Sequence, residues 1–196
     1  MFRKILIANR GEIACRVMKT ARRLGVQTVA VYSEIDKQAL HAEMADEALP
    51  IGPAPSEESY LNIERIVQAC QQSGAEAVHP GYGFLSENAE LAERLEEAGI
   101  VFIGPSPHAM RSMGDKITSK RLAIDAGVNT IPGEVDVLTS ADHAVAVARE
   151  IGYPVMLKAT AGGGGKGMRI ARNDAERRDG FERAAGEAKR AYGDDR

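Results

Sequence analysis

RKILIANRGEIACRVMKTARRLGVQTVAVYS, residues 3–33, decides the fold class. RKILIAN (3–9) is an apolar run of the length of one buried strand. In the segment after it, Ile13, Ala14, Val17, Met18, Ala21 and Leu24 recur on one helical face, and Gly25 ends the helix. TVAVYS (28–33) is then a second strand. A strand, a helix and a strand in succession start an open, mostly parallel α/β sheet.

The pattern continues outward from this unit. EALPI (47–51), AEAVHP (75–80) and IVFIG (100–104) read as further strands, with helices expected at about 58–72 and 87–98. After Gly104 the punctuation changes: Ser106 with Pro107 starts a helix, Gly114 stops it, Asp115 starts another and Gly127 stops that. A second unit follows from residue 131, with a helix at about 140–151, strand PVMLKA (154–159), a glycine loop, strand MRIAR (168–172) and a charged helix from about 174. The expected division is 1–113 as a first domain, 114–130 as a helical linker and 131–196 as a small, incomplete second domain.

Composition narrows the function classes. The chain has 196 residues, 44% hydrophobic and 27% charged, with a formal net charge of -3. That is the balance of an ordinary globular protein and supplies no whole-chain attraction to nucleic acid. No apolar stretch reaches the ~20 residues needed to span a bilayer. With neither a signal nor a transit region before the first strand, the expected address is cytoplasmic. Cys15 and Cys70 lie in amphipathic runs outside any CxxC pair, and fit buried free thiols. His41, His79, His108 and His143 are scattered, so no metal cluster is visible.

KATAGGGGKGM (158–168) is the strongest chemical signal. Glycine loses more conformational freedom on ordering than any other residue, so a run of it between lysines is expected where backbone must approach an anion closely. A P-loop requires Ser or Thr after its lysine, but Gly167 follows Lys166. A dinucleotide fingerprint belongs at the first strand-to-helix turn, where this chain has only Gly11, although Glu34 and Asp36 stand after the second strand as ribose-binding acids would. A kinase-type loop wants Val where Arg169 stands. What remains is a strand–loop–strand flap with Lys158 ending its incoming strand, suited to folding over a triphosphate. Lys116 is placed in the first turn of a helix, where the macrodipole disfavours a cation by ~0.3–1 kcal/mol and a bound anion would relieve the conflict. A solvated pair with Asp115 is the alternative.

HPGYGFLSEN (79–88) is the other unusual stretch. Two glycines flank Tyr82 at the carboxyl end of a strand, where ligands of open α/β sheets bind, and Ser86 is expected to cap the next helix with Glu87 in its first turn. His79, beside Pro80, is either a base or a structural histidine.

KILIANRGEIACRV, HPGYGFLSENA, FIGPSP, MGDKITSK and GYPVMLKATAGGGGKGM together resemble the N-terminal part of the biotin carboxylase component of biotin-dependent carboxylases, in the ATP-grasp superfamily. The resemblance runs the length of the chain and is greatest to the α subunit of bacterial propionyl-CoA carboxylase, while pyruvate, acetyl-CoA and methylcrotonyl-CoA carboxylases share the motifs. It implies a Rossmann-like N-terminal (pre-ATP-grasp) domain followed by part of an ATP-grasp domain, its small α+β lid. It implies use of MgATP and bicarbonate to form carboxyphosphate and then carboxylate biotin on a carrier domain. Lys116 and Lys158 would contact ATP phosphates, with Gly162, Gly163, Gly164, Gly165, Lys166, Gly167 and Met168 in the flap. Tyr82, Gly83 and Glu87 would face bicarbonate and biotin. The resemblance also implies a homodimer, a carrier domain and a carboxyltransferase as partners. The residues that bind magnesium and complete catalysis would lie beyond residue 196, so the chain is expected to be a fragment without turnover. A carbamoyl-phosphate synthetase type of ligase and a non-catalytic nucleotide-binding module are the competing readings, with a nicotinamide-binding domain behind them.

Overall fold

A computed structural model describes residues 1–158 and 168–192, arranged as two compact units, Met1–Arg111 and Ser112–Arg196. In the first, strands β1 (Lys4–Ile7), β2 (Gln27–Tyr32), β3 (Glu47–Pro50), β4 (Ala77–His79) and β5 (Val101–Phe102) form a sheet in the order β3-β2-β1-β4-β5, every pair parallel. Helices α1 (Gly11–Arg23) and α2 (Leu40–Met44) cover one face, and α3 (Ile63–Ser73) and α4 (Ala89–Glu97) the other. Burial on both faces explains why the strands read as continuous apolar runs. Ile7 packs with Ala14 and Met18 of α1, while Leu6 faces Ile66, Leu91 and Leu95 from α3 and α4.

Several local expectations shift. Helix α1 buries Ala14, Cys15, Met18 and Ala21, but Leu24 falls at its C-cap and is exposed, because the chain turns at Gly25 and the Val26 amide bonds back to the Ala21 carbonyl. Helix α3 starts later than expected, after the Asn62 carboxamide caps the Arg65 amide. Ser86 does not cap α4. It sits in a tight turn in which its amide donates to Gly83 and that of Asn88 to Leu85, so the cap passes to Asn88, whose side chain accepts from the Leu91 amide. Cys15 and Cys70 are buried free thiols, as expected.

Helix α5 (Pro107–Gly114) leads to the second unit, where α6 (Lys116–Asp125), capped by Asp115, precedes α7 (Ala141–Ile151), strands β6 (Val155–Lys158) and β7 (Met168–Ala171), and α8 (Asp174–Tyr192). The antiparallel β6–β7 pair lays Val155, Leu157 and Ala171 toward α7 and α8. Gly180 lets α8 approach closely, since a Cβ there would stand 2.9 Å from Leu157 Cδ1. Among the described residues no helix is long and apolar enough to cross a membrane.

Candidate functional site

Strand order places the topological switch point between β1 and β4, since the chain runs outward from β1 through β2 to β3 and then crosses back to β4. Ligands of open α/β sheets lie beyond the carboxyl ends of strands at such a point. Here a side chain bridges the two loops. Asn9, only 3% exposed, donates from Nδ2 to the carbonyls of Pro80 and Tyr82, both at 2.8 Å, while its Oδ1 accepts the Arg10 amide at 2.9 Å.

The loop held in this way is conformationally unusual. Gly81 and Gly83 take φ of 66° and 67°, and Phe84 takes φ of 41°, a left-handed conformation that a bulky residue adopts only under constraint. Phe84 stacks on Tyr60 with ring centroids 5.2 Å apart, and the Arg10 guanidinium lies over both rings at 5.7 and 5.4 Å. Arg10 is held in turn by Asp36 Oδ2 at 3.1 Å, which also accepts from the Tyr60 hydroxyl (2.7 Å) and Ser33 Oγ (3.0 Å). Burial alone would raise the Asp36 pKa, but donors from Tyr60, Arg10 and Ser33 outweigh it and hold the carboxyl below its usual range. This commitment of Asp36 to internal donors removes the ribose-binding role that a nicotinamide domain would give it.

The outcome of the network is a presented arm. Tyr82 is 63% exposed, with its hydroxyl donating to Glu12 at 3.3 Å, and Gly83 and Glu87 are exposed beside it. His79 plays a structural part: its Nδ1 accepts the Gly81 amide at 3.0 Å, and burial lowers its pKa. None of the Asn9, Arg10 and Tyr60 contacts was anticipated from the sequence.

In the second unit the open face of the β6–β7 pair is the notable surface. Register pairs Met156 with Ile170 and Lys158 with Met168. Met156, Ile170 and Met168 are 47%, 55% and 36% exposed, and Lys158 ends the same face. A flat apolar patch with an ammonium at its end suits a planar aromatic ring carrying an anionic tail. Met156 and Ile170 are additions to the expected set, and the run VMLK, apolar up to Lys158, does not single out Met156 by composition. Lys116 lies exposed in the first turn of α6. Asp115 accepts the Thr118 amide at 2.6 Å, and Thr118 together with the neighbouring Lys116 charge holds its carboxyl below the usual range. Gly162, Gly163, Gly164, Gly165, Lys166 and Gly167 lie outside the described residues. Among the described residues no group of three or more His, Cys, Asp or Glu side chains is placed to hold a metal ion.

Comparison with known proteins covers both units. The model of the biotin carboxylase N-terminal domain matches residues 1–110, and that of the carbamoyl-phosphate synthase L chain ATP-binding domain matches residues 115–196. The propionyl-CoA carboxylase alpha chain of Ruegeria pomeroyi is 60% identical over 196 residues, which are 100% of this chain and 29% of that protein. Among solved structures, the biotin carboxylase of Campylobacter jejuni, in a β,γ-ATP complex, superposes with a TM-score of 0.93 at 48% identity, covering 100% of this chain and 44% of that one. The biotin carboxylase domain dimer of Hydrogenobacter thermophilus 2-oxoglutarate carboxylase, in complex with MgADP, ADP and bicarbonate, gives 0.90 at 53% identity, with 100% and 43% covered.

Proposed function

Because the chain belongs to the biotin carboxylase N-terminal domain family, we propose that it forms part of the site at which MgATP and bicarbonate yield carboxyphosphate, for carboxylation of biotin on a carrier domain. The observation that carries the nucleotide half of this reading is the open β6–β7 face, where Met156, Ile170 and Met168 offer apolar surface for an adenine and Lys158 a charge for its phosphates. Lys116 and residues 162–168 would contact the nucleotide, and Tyr82, Gly83 and Glu87 would contact bicarbonate and biotin. The domain limits that go with it are 1–113, a 114–130 linker and a 131–196 lid subdomain.

In the reaction, a bicarbonate oxygen attacks the γ-phosphorus and ADP leaves, giving a mixed anhydride that water would destroy. A flap that excludes water is the physical requirement of such chemistry. Magnesium would enter with the nucleotide. Biotin would supply a ureido nitrogen as the carboxyl acceptor, losing its N–H proton as the C–O bond of the anhydride breaks and inorganic phosphate leaves. This activity is that of a whole protein, of whose relative this chain spans 29%. Propionyl-CoA as final acceptor, a cytoplasmic address, a homodimer, and carrier and carboxyltransferase partners complete the proposal; the 60% identity to a propionyl-CoA carboxylase alpha chain favours that acceptor.

Titration of MgATP into a full-length carboxylase carrying this segment tests the reading. Lys158→Ala should weaken binding about 10- to 100-fold, the effect of losing one charge-assisted hydrogen bond, while Tyr82→Ala leaves ATP affinity unchanged. Absence of bicarbonate-dependent ATP cleavage in the unsubstituted protein would overturn it. The match of residues 115–196 to a carbamoyl-phosphate synthase ATP-binding domain supports a second reading, a ligase that also makes carboxyphosphate but passes it to a nitrogen donor. Ammonia-dependent, biotin-independent turnover would select that one.

A further inference from the structure

The Tyr82–Gly83 arm has no regular secondary structure of its own to hold it. Three of its residues, Gly81, Gly83 and Phe84, are left-handed, and the arm leaves the sheet directly after the short strand β4. Its geometry is imposed by two consecutive residues in the loop that follows β1. Asn9 takes the first limb through the Pro80 and Tyr82 carbonyls, and Arg10 takes the second through the Phe84 ring, itself backed by Tyr60 and Asp36. Close contact fixes the fit of the first limb: a Cβ on Gly81 would stand 2.8 Å from Asn9 Nδ2.

Asn9 is chemically specific for this place. A carboxamide offers two N–H donors and an acceptor, and all three are used, by Pro80, Tyr82 and the Arg10 amide. Aspartate would keep only the acceptor, and alanine would keep none. We infer that Asn9 is a positioning residue that sets the Tyr82–Gly83 arm and therefore governs the biotin and bicarbonate side of the reaction without governing ATP. This rests on the carboxylase reading above.

The test uses free biotin as acceptor in a full-length carboxylase carrying this segment, with KM measured separately for biotin and ATP. Asn9→Ala should raise the biotin KM about tenfold, the scale set by losing one or two buried hydrogen bonds, and leave the ATP KM unchanged. Asn9→Asp adds a readout that general loss of packing would not move. Ionised, its carboxylate faces two carbonyl oxygens; protonated, it regains one O–H donor. Its biotin KM relative to the unsubstituted enzyme should fall as pH is lowered, whereas the Asn9→Ala ratio stays flat. Should Asn9→Ala fail to fold, the pH profile of Asn9→Asp decides alone. A biotin KM within about twofold of normal in both variants, or biotin and ATP KM rising in parallel, would overturn the inference. Failure of the unsubstituted enzyme to cleave ATP with bicarbonate would instead overturn the functional reading, and this inference with it.

Discussion

Tyr60 concentrates the physics of the first unit in one hydroxyl. It donates to Asp36 Oδ2 at 2.7 Å and accepts the Ser33 amide at 3.0 Å, from a side chain that is 1% exposed. Burial, and then the hydrogen bond to Asp36, push the phenol up to about 12, above its ordinary value of about 10. A raised pKa means that the stabilising contribution is complete below the unfolded value of about 10 and is lost as pH rises through the folded one. Tyr60→Phe should therefore cost about 1–3 kcal/mol at neutral pH, because it leaves the Ser33 amide without its acceptor. It should also remove this group's share of the stability lost between pH 10 and 12. Urea unfolding at pH 8, 10 and 11 reads both effects. An unchanged midpoint at pH 8 would mean that the hydroxyl is not committed as described.

At the scale of the element, the loop after β4 makes a prediction through its glycines. Gly81 and Gly83 have nearly the same φ, 66° and 67°, but only Gly81 has Asn9 against the place where a Cβ would go. Alanine at either position incurs the left-handed backbone cost of about 1–2 kcal/mol. Gly81→Ala should lose more than Gly83→Ala in a denaturant titration, and equal losses would show that Asn9 does not close on the loop. The same loop marks where sequence reasoning stops. The parallel α/β order was legible because apolar runs and helical stripes are local patterns. Asn9 and Pro80 lie 71 residues apart, so no spacing rule joins them. Ser86 and Asn88 are both good capping types, and only the turn closed by the Gly83 and Leu85 carbonyls chooses between them. On β6, VMLK is apolar except at its end, and the helices behind it, not the strand's own composition, decide that Met156 faces outward.

Acid should act on the whole molecule through its histidines before its carboxylates. Burial lowers the pKa of His41, opposed by its hydrogen bond to the Val31 carbonyl and by Asp36, with Arg10 lowering it further. Burial lowers that of His79 as well. Both rings therefore favour the neutral form when folded. Their contribution is present above the unfolded value of about 6.5 and is lost as pH falls through the lower folded values. For His79 the loss has a visible consequence, since protonating Nδ1 removes the acceptor of the Gly81 amide at the base of the Tyr82 arm. Asp36 and Asp46 are held below their usual range by their hydrogen bonds, so their loss belongs to a lower window, below about pH 4. Stability should thus decline between pH 7.5 and 5, with the imidazole resonances of His41 and His79 titrating below 6.5 and exchange of the Gly81 amide rising in parallel after correction for intrinsic rates. A urea midpoint that stays level across that interval, or a His79 ring that titrates at an ordinary value, would show that the buried histidines do not link the loop to proton concentration.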